Sequence, residues 1–166
     1  MTRLEERSET DLRLAKSLSQ VHAAAFAGQG RAWSGPEILA LISEPRVSLL
    51  LAYSEAEDGV LAPACFALYR VAAGEAELLT LAVAPDARRH GLGRGLVRGF
   101  INRAASDGAR RLFLQVGAGN APALGLYTQS GFRECGRRPG YYLRPNGDRE
   151  DAVAMELTLA AADPPE

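Results

Sequence analysis

The sequence predicts a single α/β domain built on a mixed sheet, with element order ααβββαβαββ and helices on both faces. Three observations carry this. Apolar stretches between Val47 and Val83 are joined by turns too short for anything but antiparallel pairing. A helical stretch, Gly91 to Ser106, then separates two strands, so the second runs roughly parallel to the first. Finally, 166 residues at 47% hydrophobic and 23% charged suit one globular domain, with its core at about 10–159.

Each element follows from its residues. From Thr10-Asp11 the apolar positions Leu14, Leu18, Val21 and Ala25 recur at helical spacing, and Gly28-Gln29-Gly30 ends the helix. Ser34-Gly35-Pro36-Glu37 reads as a capping box opening a short helix through Leu39 and Ile42. Val47 to Tyr53 is a strand, Glu55 to Gly59 a turn, and Val60 to Val71 a strand bent at Pro63. Gly74 turns the chain into the strand Glu75 to Val83. In the helix from Gly91, Leu92, Leu96, Val97, Phe100, Ile101 and Ala104 share a face, and Gly108 stops it. Arg111 to Val116 is a strand, and Asn120 caps a helix over Ala121 to Ser130 that Gly131 closes. The last strands, Phe132 to Arg138 and Asp151 to Leu159, are joined by a loop containing Tyr141, Tyr142, Pro145 and Gly147.

Composition narrows the function. Met1 to Arg7 carries acids and no apolar core, so no secretory signal is expected. No stretch approaches the ~20 apolar residues of a membrane span. Cys65 and Cys135 allow at most one bridge and are expected to pack within strands, which fits a cytoplasmic protein. Nineteen basic residues against twenty acidic argue against a nucleic-acid binder. The arginines still cluster at Arg88, Arg89, Arg94, Arg98 and Arg103, which leaves a local anion site open. His22 and His90 have no partner at metal-ligand spacing, so no metal site is expected. No Gly-x-Ser-x-Gly elbow supports a hydrolase.

The sharpest local signal runs from Leu81 to Gly95. A strand ends before Pro85, and Gly91, Gly93 and Gly95 open a helix whose free N–H groups and dipole favour an anion. A dinucleotide fingerprint needs glycine at position 96, which is Leu96, and a P-loop needs a lysine that is not there. Arg88-x-x-Gly91-x-Gly93 resembles instead the acetyl-CoA signature of the GNAT N-acetyltransferase superfamily. The resemblance implies the GNAT fold: a mostly antiparallel sheet with one parallel pair splayed at the acetyl-CoA site. It implies that the backbone of Leu81, Ala82 and Val83 holds the pantetheine arm and acetyl carbonyl. The pyrophosphate would lie against the turn of Arg88, Arg89, His90, Gly91, Leu92, Gly93 and Arg94. A second block, Asn120 to Phe132, resembles the family's other signature, in which the asparagine contacts acetyl-CoA and a tyrosine, here Tyr127, sits near its sulfur.

Within the superfamily, Trp33-Ser34, Leu126-Tyr127, Gly131-Phe132, Tyr141-Tyr142 and Gly147 to Met155 are similar to the bacterial ribosomal-protein-alanine N-acetyltransferases of the RimI type, over about Thr10 to Leu159. That likeness implies transfer to the N-terminal amine of a small-subunit ribosomal protein, with the peptide end near Trp33, Tyr141 and Tyr142. It leaves monomer and homodimer open, and calls for no metal.

Acetyl transfer to an α-amine of pKa ~8 needs a base for the amine and an acid for the departing thiolate. Tyr127 fits the acid. The base is less simple, because the RimI-type glutamate position holds Gln115, whose amide cannot take a proton at neutral pH. Glu77 matches the glutamate that histone-type members use and shares odd-numbered strand parity with Leu81 and Val83. A water chain is the other route. Transfer to a small amine or a lysine side chain, or acyl-CoA binding without catalysis, are the competing functions.

Overall fold

The computed structural model describes residues 5–6, 11–55 and 57–161. Thr10 and most of the Met1–Arg7 segment therefore fall outside the described residues. A two-residue strand, β1 (Glu5–Glu6), precedes helices α1 (Leu12–Ala25) and α2 (Gly35–Ile42). Strands β2 (Val47–Glu55), β3 (Leu61–Ala72) and β4 (Glu75–Val83) follow, then α3 (Leu92–Ser106), β5 (Arg111–Gly117), α4 (Ala121–Gln129), β6 (Arg133–Leu143) and β7 (Arg149–Thr158). One sheet has the order β1-β2-β3-β4-β5-β7-β6. Of its pairs only β4–β5 is parallel.

Local chemistry sets the helix starts. The Asp11 side chain accepts the Leu14 N–H at 2.8 Å, capping α1. Ser34 and Glu37 form the expected reciprocal box at α2. One face of the sheet packs α1 and α2 over Leu49, Leu51, Phe66, Leu68 and Ala82. The opposite face packs α3 and Tyr127 of α4 against Ala67, Tyr69, Leu112, Leu114 and Val153. Full burial of such apolar side chains stabilises the fold by ~1.5–3 kcal/mol each.

Two irregularities shape the site. Tyr69 pairs with Leu78 and Leu68 with Thr80, so Leu79 is an extra residue that re-phases β4. Ala76 and Leu78 pack on the α3 side before this bulge, and Leu81 and Val83 do so after it. Glu77, between Ala76 and Leu78, therefore faces the α1–α2 side together with Ala82. Counting along the sequence put Glu77 on the face of Leu81 and Val83; the bulge reverses that parity. Beyond Glu77↔Phe113 no further β4–β5 pair forms, and the two strands splay apart.

The second irregularity is in β6. Tyr141 and Tyr142 belong to this strand rather than to a loop. Arg138 pairs with Ala152 and Tyr142 with Glu150, so three residues of β6 oppose Asp151 alone. Gly140 takes φ +58° in this bulge, and its N–H donates to Asp151 Oδ1 at 2.9 Å. The Pro139-Gly140 pair looks like a terminator in sequence, but here it bends a strand that continues. Because β6 is an outer strand, Cys135 is exposed rather than packed, while Cys65 is buried.

Candidate functional site

The gap opened by the splay of β4 and β5 is a cleft. Leu78 to Leu81 line one side and Gln115 to Gly117 the other. Tyr127 and Asn120 come from α4, Tyr142 and Glu150 from β6 and β7, and His22, Phe26 and Trp33 from α1 and the loop after it. Seven of the sequence-predicted residues or positions are thus accounted for here: Leu81, Gln115, Asn120, Tyr127, Trp33 and Tyr142 line the cleft, and Glu77 does not. Glu77 lies instead in a shallower hollow with Arg70, Phe113 and Arg138. Gln115 borders both.

Tyr127 is 7% exposed, with its ring edge-on to Phe132 at 6.1 Å. Burial first, and the neighbouring Tyr142 second, raise its phenol well above the usual tyrosine range. It therefore keeps its proton in the resting protein. Gln115 presents a buried Oε1 with no hydrogen-bond partner among the described residues. Leaving such an oxygen unpaired costs ~1–3 kcal/mol, so the position calls for a donor from water or a bound molecule.

The turn before α3 is built for an anion. Arg89 and Gly91 both adopt left-handed backbone, at φ +66° and +74°. Gly91 is the N-cap and offers no side-chain acceptor, so no capping bond occupies the first-turn amides of α3. Arg88 Nη2 donates to the Ala25 carbonyl at 3.1 Å, tying this turn to the end of α1. His90 Nδ1 lies 3.3 Å from the Ala87 carbonyl, and Arg94 donates to Gln129 Oε1 at 3.3 Å. A Cβ on Gly93 would sit 3.3 Å from Leu126 Cδ2, so this glycine lets α3 start close against α4. Asn120 caps α4 through Ala123 N–H at 3.3 Å. Ala82 packs on the α1–α2 face, Val83 on the α3 face, and Tyr141 is exposed beside Tyr142 at 5.1 Å.

Among the cleft residues not assigned to the site from the sequence, two bury ionisable side chains. His22 is 5% exposed, stacked on Trp33 at 4.9 Å and close to Phe26 at 4.6 Å. Its Nδ1 accepts the Trp33 N–H at 3.3 Å, which puts the neutral ring's proton on Nε2. Burial pulls its pKa down to about 4 against an opposing pull from Glu37. The signal was its place on the buried stripe of α1, one residue after Val21. Glu150 is the other. It accepts the Gly119 N–H at 2.5 Å and pairs with Arg144. A Cβ on Gly117 or Gly119 would stand 2.9 or 2.7 Å from Glu150 Oε1, so the two glycines leave room for this carboxylate.

Among the described residues no group of His, Cys, Asp and Glu is placed to hold a metal ion, and no helix is long and apolar enough to cross a membrane.

The chain resembles known proteins in sequence and fold. Residues 15–132 match the model of the acetyltransferase (GNAT) family. A [ribosomal protein bS18]-alanine N-acetyltransferase of Escherichia coli K12 is 42% identical over 97 residues, 58% of this chain and 65% of that protein, so the match spans just under two thirds of its length. The Haemophilus ducreyi protein of the same description is 37% identical over 67% of this chain and 74% of its own. The crystal structure of the ribosomal-protein-S18-alanine N-acetyltransferase from Escherichia coli superposes with a TM-score of 0.81 at 32% identity, covering 98% of this chain and 96% of that one.

Proposed function

Because the chain belongs to the GNAT family of acetyltransferases, we propose that it moves the acetyl group of acetyl-CoA directly to the N-terminal amine of a protein, with the N-terminal alanine of ribosomal protein bS18 as the acceptor. The observation that carries this reading is the cleft where β4 and β5 part, which joins a buried proton donor, Tyr127, to an open backbone channel. The similarity to bS18-alanine acetyltransferases supports the choice of acceptor.

The residues fit acetyl-CoA. Past Glu77 and Phe113 the facing edges of β4 and β5 have no partner in each other, so their backbone groups are available to an extended amide arm. The left-handed turn at Arg89 and Gly91 and the uncapped start of α3 suit a pyrophosphate. Bound there, acetyl-CoA supplies the thioester carbon that the amine attacks. The chain's own work is then to orient and to move protons. Tyr127 gives its phenolic proton to the departing sulfur, and burial keeps that proton in place until then. Gln115 Oε1 accepts a hydrogen bond from water or from the incoming amine and so positions the nucleophile.

The test is direct. The protein, incubated with acetyl-CoA and a peptide carrying the bS18 N-terminus, is expected to release free thiol and to yield an α-N-acetylated peptide. Fast turnover of a small diamine or an N-blocked lysine peptide, with none on the bS18 peptide, would replace the acceptor. Tight acetyl-CoA binding with no thiol release on any amine would replace the enzyme by a binding module.

A further inference from the structure

The residue matched to the family's base is an amide, and Glu77 does not line the cleft, so the source of the missing negative charge has to be sought on the cleft wall itself. Among the described residues lining it, the ionisable side chains are His22, Arg31, Tyr127, Tyr142 and Glu150, of which Glu150 is the carboxylate. We propose that Glu150 receives the protonated acceptor amine and takes its proton, filling the role that Gln115 cannot. This rests on the acetyltransferase reading above.

Four features support the assignment. Glu150 borders both the cleft and an outer hollow with Gly28, Arg144 and Asn146, so it stands between solvent and the reacting position. Its side chain is only 14% exposed, and burial strengthens its attraction for a cation. Its seat is fixed: the Gly119 N–H and Arg144 hold the carboxylate, and side-chain-free positions at 117 and 119 leave space for it. Each oxygen has one protein donor and so keeps lone-pair capacity for an ammonium. His22 cannot substitute. Its Nδ1 is taken by Trp33, and burial holds its pKa near 4.

The protons balance. Glu150 takes one from the ammonium and passes it to solvent. The freed nitrogen forms its bond to the acetyl carbon as the carbon–sulfur bond breaks, and the sulfur takes the Tyr127 proton. The second proton leaving nitrogen returns Tyr127 to its neutral form. One proton is released per turnover.

The experiment measures kcat and KM against pH for wild type, Glu150→Gln, Glu150→Asp and Arg144→Gln. It uses an alanine-first peptide, an N-blocked lysine peptide and a small diamine, and compares variants on whichever acceptor wild type turns over fastest. The choice of acceptor therefore tests the function separately from the role of Glu150. Glu150→Gln, which retains an acceptor for Gly119, is expected to lower kcat/KM by ~10²-fold or more and to flatten the acidic limb. Acetyl-CoA affinity is expected to stay within about twofold, and Glu150→Asp to recover part of the rate. Arg144→Gln is expected to keep the acidic limb and lose less than about tenfold. A Glu150→Gln enzyme within about threefold of wild type with the same pH profile would overturn the proposal. Equal losses and identical profiles in Glu150→Gln and Arg144→Gln would overturn it too, since Glu150 would then serve only to hold Arg144.

Discussion

Tyr127 sits where its proton is both protected and useful. Tyr127→Phe keeps the ring against Phe132 and removes only the hydroxyl, so kcat is expected to fall by ~10²–10⁴ with acetyl-CoA affinity unchanged. Steady-state thiol release and a binding titration read the two quantities separately, and a Phe variant with wild-type kcat would remove Tyr127 from the chemistry. Glu77 gives the contrasting case. Lying outside the cleft, it is expected to tolerate Glu77→Gln with kcat/KM changed by less than about threefold. His22 makes a pH-dependent contribution to stability. Its folded pKa of about 4 lies below the ordinary 6.5, so the native state holds fewer protons than the unfolded chain between those values. Its contribution is therefore fully present above pH 6.5 and declines as pH falls toward 4, by about 3 kcal/mol in all. Urea unfolding at a series of pH values is expected to show that slope in wild type and to lose it in His22→Gln.

Elements differ in how plainly their sequence announces them. The ends of β4 were legible at Glu75 and Val83 because turn residues flank it on both sides. The capping box of α2 was legible because its four residues satisfy one another locally, and Ser34→Ala is expected to cost ~0.5–2 kcal/mol in thermal or denaturant unfolding. The start of α3 follows from local rules as well. At φ +74°, Gly91→Glu adds backbone strain and a negative charge where an anion is expected, so acetyl-CoA affinity is expected to drop more than about tenfold while the helical signal remains. Unaltered affinity in a folded Gly91→Glu protein would move the phosphates elsewhere. Strand β1 was not legible, since two glutamates carry no pattern and depend on β2 for pairing. The far half of β6 was hidden for a different reason. Pro139-Gly140 breaks the local pattern, and only pairing with β7 carries the strand through to Leu143.

Across the whole molecule, the mixed sheet, its single parallel pair and the two-sided helical cover could be read from element order alone, because short turns and an intervening helix leave few ways to connect the strands. Much of the cleft could be read too, where a motif brings its residues as a local unit, as at Asn120 and Tyr127. What escaped depends on contacts between distant segments: Glu150 reaches its seat through pairing with Tyr142 and the space beside Gly117, 33 positions earlier in the chain. The Leu79 bulge is the clearest case of information held in register rather than in residue type, and it bears on which genetic changes this protein can survive. Swapping Leu79 for another apolar residue alters one side chain. Losing its codon in frame would instead remove the bulge and leave regular alternation, with Ala76, Leu78, Leu81 and Val83 still on the α3 side and Glu77 still on the other. A deletion scan of Glu75–Val83 should therefore find the fold more tolerant of losing Leu79 than of losing Ala82, since the second loss turns Val83 out of the layer beneath α3.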